Sequence, residues 1–210
     1  MNKQSLQARI DRLVQEENIR PNDALRFYFF DEFIKRLSLS PYKENFIFKG
    51  GFYLSSLLGI ATRATMDIDF LLQKEPLQEA NLVQIINTIS QIDLADGISF
   101  SFVSISSIRE EDPYGGFNVV LLGKLENIKQ PISIDVATED PITPNAIVYS
   151  YQTFFEKETA DCLAYNLETV LAEKLQTIFA KGELNSRCKD YYDVYILWKK
   201  ERGEYRFADA

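Results

Sequence analysis

An α+β fold is predicted here, a mixed β-sheet flanked by helices with a helical unit at the C-terminus. Three observations carry that expectation. Apolar residues recur at helical spacing as far as Leu37, alternate with polar ones through the middle of the chain, and return to helical spacing from Leu167 onward.

The elements follow in order. Leu6, Ile10, Leu13 and Val14 place a helix over residues 5–19. Pro21 opens a second, with Asn22 or Asp23 as its cap and Leu25, Phe29, Phe33 and Leu37 on one face. Phe46 to Phe48 is a short buried strand that ends in the turn Lys49-Gly50-Gly51, and a helix runs from Phe52 to Leu58. In the strand Asp67 to Leu72, Asp67, Asp69 and Leu71 share one face and Ile68, Phe70 and Leu72 the other. Pro76 breaks it, and Leu82, Ile85, Ile86 and Ile89 make Leu77 to Ile92 an amphipathic helix. Strands are expected at Ile98–Ile105, Phe117–Leu125 and Ile132–Val136, with 110–116 as the loop between the first two. Pro141 to Pro144 marks a change of character, which divides the chain into 1–150 and 151–210. The second part carries helices at Leu167–Ala180 and Asn185–Lys200, on either side of Gly182. The terminal EYRFADA brings no further helix to cover the last one, so the chain reads as short or trimmed.

Composition narrows the chemistry. Histidine is absent, which excludes Ser-His-Asp and Cys-His triads, His-ligated zinc and a His general base. Cys162 and Cys188 are too few for an all-cysteine zinc site and read as reduced, packed thiols. No apolar run is long enough to span a bilayer, and the N-terminus lacks a signal-peptide core, so a cytoplasmic location without membrane contact is expected. The net charge of −8 argues against a broad nucleic-acid surface but not against a local patch. From Lys174 to Arg206, eight Lys and Arg outweigh five Asp and Glu.

What remains is carboxylate and metal chemistry. Gly50-Gly51 stands where a strand meets a helix, and such a turn lets backbone approach phosphate beside the helix N-terminus. Asp67 and Asp69 converge from one face of the next strand and repel each other unless a cation lies between them; hard oxygen donors suit Mg²⁺ or Mn²⁺. Asp135, in ISIDVA, faces opposite to Ile134 and can join the pair. Three such acids fit a two-metal site for in-line attack on the α-phosphate of an NTP, with Asp135 placed to accept the attacking hydroxyl's proton. Each feature has a plainer alternative: a glycine pair is usually a turn, and solvent-facing acids are common on strands. A lone Asp in an apolar strand is more telling, because burying an unpaired charge costs several kcal/mol.

The stretch KGGFYLSSLLGIATRATMDIDFLL resembles the AbiEii/AbiGii-type nucleotidyltransferase toxins of abortive-infection and type IV toxin–antitoxin systems. Arg63, Thr65, Asp67, Ile68 and Asp69 match the family's Arg-x-Ser/Thr-x-Asp-Ile-Asp, and ISIDVA looks like its third-carboxylate motif. Glu168, Ala172, Lys174, Arg187, Lys189, Asp190, Asp193 and Tyr195 match its C-terminal signature. The resemblance runs from about Phe46 to Leu197 and implies a minimal nucleotidyltransferase core over 1–150, N-terminal helices included, with 151–210 as the helical unit.

It further implies NTP and Mg²⁺ as reactants, tRNA or protein as acceptor, and a cognate antitoxin as partner. Asp67, Asp69 and Asp135 would be the metal ligands, and Lys174 would join them in catalysis by reaching the phosphates. Lys49, Gly50, Gly51, Arg63, Thr65 and Asp190 would contact the nucleotide or orient what does. The plainer alternative for Lys174 and Asp190 is a surface ion pair between neighbouring helices. Arg187, Lys189 and Asp193 read as structural or acceptor-facing, and Tyr191, Tyr192 and Tyr195 as core. One departure stands out. The family carries Thr or Ser after the glycine pair, and this chain has Phe52, which leaves the phosphate grip to backbone N–H groups or weakens turnover. An active toxin, a catalytically weak binding module and a metabolic or antibiotic-modifying nucleotidyltransferase are the competing functions.

Overall fold

A computed structural model describes residues 2–59, 65–108, 115–138, 140–181 and 188–201. Its described part holds six helices and one seven-stranded mixed sheet. The strands are β1 (Phe46–Lys49), β2 (Asp67–Leu72), β3 (Ile98–Ile108), β4 (Gly116–Leu125), β5 (Ile128–Ala137), β6 (Ile147–Gln152) and β7 (Thr159–Ala164). Their spatial order is β3-β4-β5-β2-β1-β7-β6. β2 pairs in parallel with β5, and β1 in parallel with β7; the other neighbours are antiparallel. Parallel pairs need crossovers, so the centre of the sheet joins segments that are distant in the sequence.

One face of the sheet is the core. α1 (Lys3–Glu17) starts at Asn2, whose side chain accepts from the Ser5 N–H. α2 (Pro21–Leu39) lies across the sheet and buries Phe27, Tyr28, Phe29, Phe30, Phe33, Ile34 and Leu37. Its cap is Arg20, not Asn22 or Asp23, because Pro21 with its fixed φ occupies the first helical position. Asp23 sits in the first turn instead and bridges Arg20 and Arg26. α3 (Gly50–Leu58) and α4 (Glu79–Ser90) complete this layer. Gly123 on β4 lets α2 approach: a Cβ there would lie 2.3 Å from the Phe29 ring.

The strand pattern that predicted β2, β4 and β5 holds, since their inward residues Ile68, Phe70, Val119, Leu121, Ile132, Ile134 and Val136 are all buried. The chain after Pro144 differs from expectation. β6 and β7 extend the sheet, so residue 150 falls within a strand and the helical part begins at α5 (Leu167–Lys181), followed by α6 (Cys188–Glu201). On β7, Ala160, Cys162 and Ala164 turn to the core, and burial pushes the Cys162 thiol up to about 12, so it stays an inert packed thiol at neutral pH.

α6 brings a second correction. Tyr191, Tyr192 and Tyr195 are not core; all three are exposed, while Ile196 and Leu197 pack inward. The helix turns its acids inward instead. Asp190 and Asp193 are buried and hold the Lys174 ammonium at 2.8 and 3.0 Å, which orients α6 on α5.

Candidate active site

The opposite face of the sheet carries a polar row. Lys49 on β1 stands across from Asp69 on β2, Asp69 from Asp135 on β5, Asp135 from Asn118 on β4, and Asn118 from Ser106 on β3. Residues directly opposite in a sheet point to the same side, so these five side chains share one face. Asp67 lies two residues before Asp69 on that face, opposite Ser133.

Each acid is held. Asp67 accepts from the Thr65 hydroxyl at 3.1 Å. Asp69 accepts from the Gly51 N–H at 3.2 Å, which ties the second acid to the glycine turn. Asn118 donates to Asp135 and also reaches Ser133. Burial, then the charges of Asp67 and Asp135, push Asp69 up to about 6; the Gly51 N–H and Lys49 pull the other way and do not offset this. Asp69 is thus an acid crowded by two others.

Gly50 makes the approach possible. Its φ of 70° lies in the left-handed region, and a Cβ there would sit 2.0 Å from Asp69 Oδ2. Gly50→Ala is therefore expected to displace the Asp69 carboxylate and to add about 1–2 kcal/mol of backbone strain. Thermal melts should fall by several degrees and nucleotide transfer should be lost; a variant as active as the wild type would contradict this placement.

Lys49 does not point at open space. Its ammonium bonds Asp140, the Tyr165 hydroxyl at 3.1 Å and Glu173 at 3.0 Å. It fastens α5 and the segment before β6 to the sheet beside Asp69, and stands committed to other acids. Asp140, Glu173, Tyr165 and Asn118 are site neighbours that the sequence reading did not name. Asn118 alone left a trace, as a polar residue amid the apolar FNVVLL. Phe52 turns into the core, 4.8 Å from Phe30 and 5.3 Å from Phe27 between ring centres. Ser55 donates to the Gly51 carbonyl, and Ser56 bonds the Tyr53 carbonyl and the Tyr149 hydroxyl, so neither replaces the missing hydroxyl.

The structure thus gathers Lys49, Gly50, Gly51, Thr65, Asp67, Asp69 and Asp135 at one place. Lys174 and Asp190 form a second cluster with Asp193, joined to the first through Glu173, the residue beside Lys174. Lys174 is 14% exposed and Asp190 is buried, so they are not a solvated surface pair. Arg63 and Arg187 lie outside the described residues. Among the described residues no three acidic or thiol side chains close into a finished cation cage. Mg²⁺ does not need one: it takes one or two carboxylates and fills its other positions with water and phosphate oxygens. An open face of three mutually repelling carboxylates, with its neighbouring lysine engaged elsewhere, fits that ion.

Comparison with known proteins gives the family and the fold. The family model "Nucleotidyl transferase AbiEii toxin, Type IV TA system" matches residues 32–210. JHP933 from Helicobacter pylori superposes with a TM-score of 0.56 at 17% identity, over 90% of this chain and 71% of that one. An antigenic nucleotidyltransferase-like protein from Paracoccidioides brasiliensis superposes with a TM-score of 0.52 at 13% identity, over 81% of this chain and 74% of that one. At these identities the likeness is one of fold. No curated protein matches by sequence.

Proposed function

The chain belongs to the AbiEii nucleotidyltransferase toxin family of type IV toxin–antitoxin systems, and on that premise we propose that it moves a nucleoside monophosphate from an NTP to RNA, tRNA foremost, with Mg²⁺ or Mn²⁺ on Asp67, Asp69 and Asp135. Membership makes it a nucleotidyltransferase with an NTP substrate and a cognate antitoxin. The observation that carries the finer reading is the register that sets Asp69 against Asp135 beside the Gly50 turn.

A divalent cation there would neutralise phosphate charge and acidify an attacking hydroxyl. The chain's own residues do the rest. Gly50 opens the turn, and the first-turn N–H groups of α3 other than that of Gly51, which Asp69 takes, face the triphosphate in place of the family's hydroxyl. Gly51 and Thr65 hold Asp69 and Asp67 at their oxygens. Asp135, steadied by Asn118, receives the acceptor's proton and releases it to water as pyrophosphate leaves. Lys174, held by Asp190 and Asp193, would turn its third ammonium N–H to the phosphates from α5 as negative charge builds there. Residues from Leu167 onward act as the helical unit that carries this cation to the sheet.

Among the described residues no helix is long and apolar enough to cross a membrane; an RNA acceptor would place the reaction in the cytoplasm. Incubating the protein with each labelled NTP, Mg²⁺ and total tRNA should label RNA. Label on protein alone would replace RNA by a protein acceptor, and no label with any NTP would leave a nucleotide-binding module.

A further inference from the structure

The exposed side of α6 is a row of rings. Tyr191, Tyr192, Tyr195 and Trp198 are each between 43% and 49% exposed, on one helix face at spacings of three, four and seven residues. Core-facing Ile196 and Leu197 account for the other face. Four large aromatic side chains turned outward on two turns of helix are unusual, because burying one side chain of this kind is worth roughly 2 kcal/mol.

The charge around them is selective. Two of the helix's acids, Asp190 and Asp193, turn inward to Lys174. Lys199 lies over the Tyr195 ring, 4.9 Å from its centre, and Lys189 is exposed at the start of the helix. A chain of net charge −8 thus offers an aromatic face bordered by Lys189 and Lys199, with Asp190 and Asp193 turned to the other side of the helix. Flat rings with cations are what unpaired nucleotides bind: bases stack on the rings and the backbone phosphates meet the lysines. From Tyr191 to Trp198 the helix rises about 10 Å, room for about three stacked bases.

We infer that this α6 face is the docking platform for the single-stranded end of an RNA acceptor, held by stacking on Tyr191, Tyr192 and Tyr195. The inference rests on the reading of the chain as an RNA-modifying nucleotidyltransferase. It adds where the acceptor is gripped, on the same helix whose acids brace Lys174.

The test uses the full chain and a fluorescent hairpin RNA with an unpaired 3′ end of about four nucleotides, and measures RNA affinity and, separately, NTP affinity with Mg²⁺. Tyr191→Ala combined with Tyr195→Ala should weaken RNA binding by at least about tenfold. The corresponding double Phe variant should bind like the wild type, and NTP binding should be the same in all three. Tyr192→Ala, made singly, gives the same readout should the double Ala variant melt early. Undiminished RNA binding in the Ala variants overturns the inference. So does a concentration-dependent dimer that the Ala variants abolish, since a second copy would then occupy the face. Loss of NTP binding in the wild type, with ring-dependent RNA binding intact, would instead sink the reading of the sheet site.

Discussion

Replacing Asp69 with Asn is expected to stop nucleotide transfer and yet leave the metal-free protein more stable than the wild type at pH 7. The loss in kcat should be about 10³-fold, the scale seen when one preorganised charge-stabilising group is removed from a transition state. The gain in stability has a separate cause. Burial and the charges of Asp67 and Asp135 raise Asp69 from 3.8 to about 6, so the folded protein prefers it protonated. Between pH 4 and 6 the folded state then binds more protons than the unfolded one. This group's contribution is full below about pH 4, fades as pH rises through about 6, and its ionised form opposes folding at pH 7. Asparagine removes that opposition, a gain of about 1–2 kcal/mol for a half-buried group, and flattens this part of the stability–pH curve. Mg²⁺ at ten times its Kd should add about 1.4 kcal/mol to the wild type and much less to the variant. Urea melts at pH 5 and pH 7, with and without Mg²⁺, check all of this. An Asn variant less stable than the wild type without metal would mean that the three acids do not crowd one another.

Restoring the family's hydroxyl at residue 52 should do harm. Phe52 is fully buried and packs on Phe27, Phe30, Phe48, Tyr151 and Phe154, so it joins α3 to α2 and to the β6 side of the sheet. Phe52→Ser removes that ring, and truncations of this size in a core cost about 3–5 kcal/mol. In a chain of this length that is a fall in Tm of about 10 °C or more. No transfer activity should be gained at temperatures where the variant is folded, because the side chain at this position points into the core and away from Asp69. Differential scanning calorimetry and the labelled-NTP assay decide it. Faster transfer in a stable Ser variant would show that the helix can rotate its third residue toward the substrate.

These two residues also show how far the sequence could be read. Asp67, Asp69 and Asp135 were legible because strands alternate: a polar residue at every second position of an otherwise apolar strand leaves its side chain one way to point. Their meeting depended on β2 pairing with β5, and the motif order carried that. Phe52 was legible as a departure but not as a core residue, since the direction it faces is set by the φ of Gly50. β7 was missed for a similar reason. TADCLA has weak strand propensity and becomes a strand by pairing in parallel with β1, a contact that no local pattern announces. The α6 tyrosines had the spacing of a core face. They lie outside because Ile196 and Leu197, with Asp190 and Asp193 on Lys174, occupy the inward side of α6.

The central parallel pair has a further bearing on how the protein comes into being. β2 and β5 are separated by α4 and the β3–β4 hairpin, so Asp69 meets Asp135 only after a long loop has closed. β1, which bears Lys49, gains its second neighbour later still, when β7 has emerged. A growing chain on the ribosome therefore holds Asp67 and Asp69 long before it holds the geometry that makes a site of them.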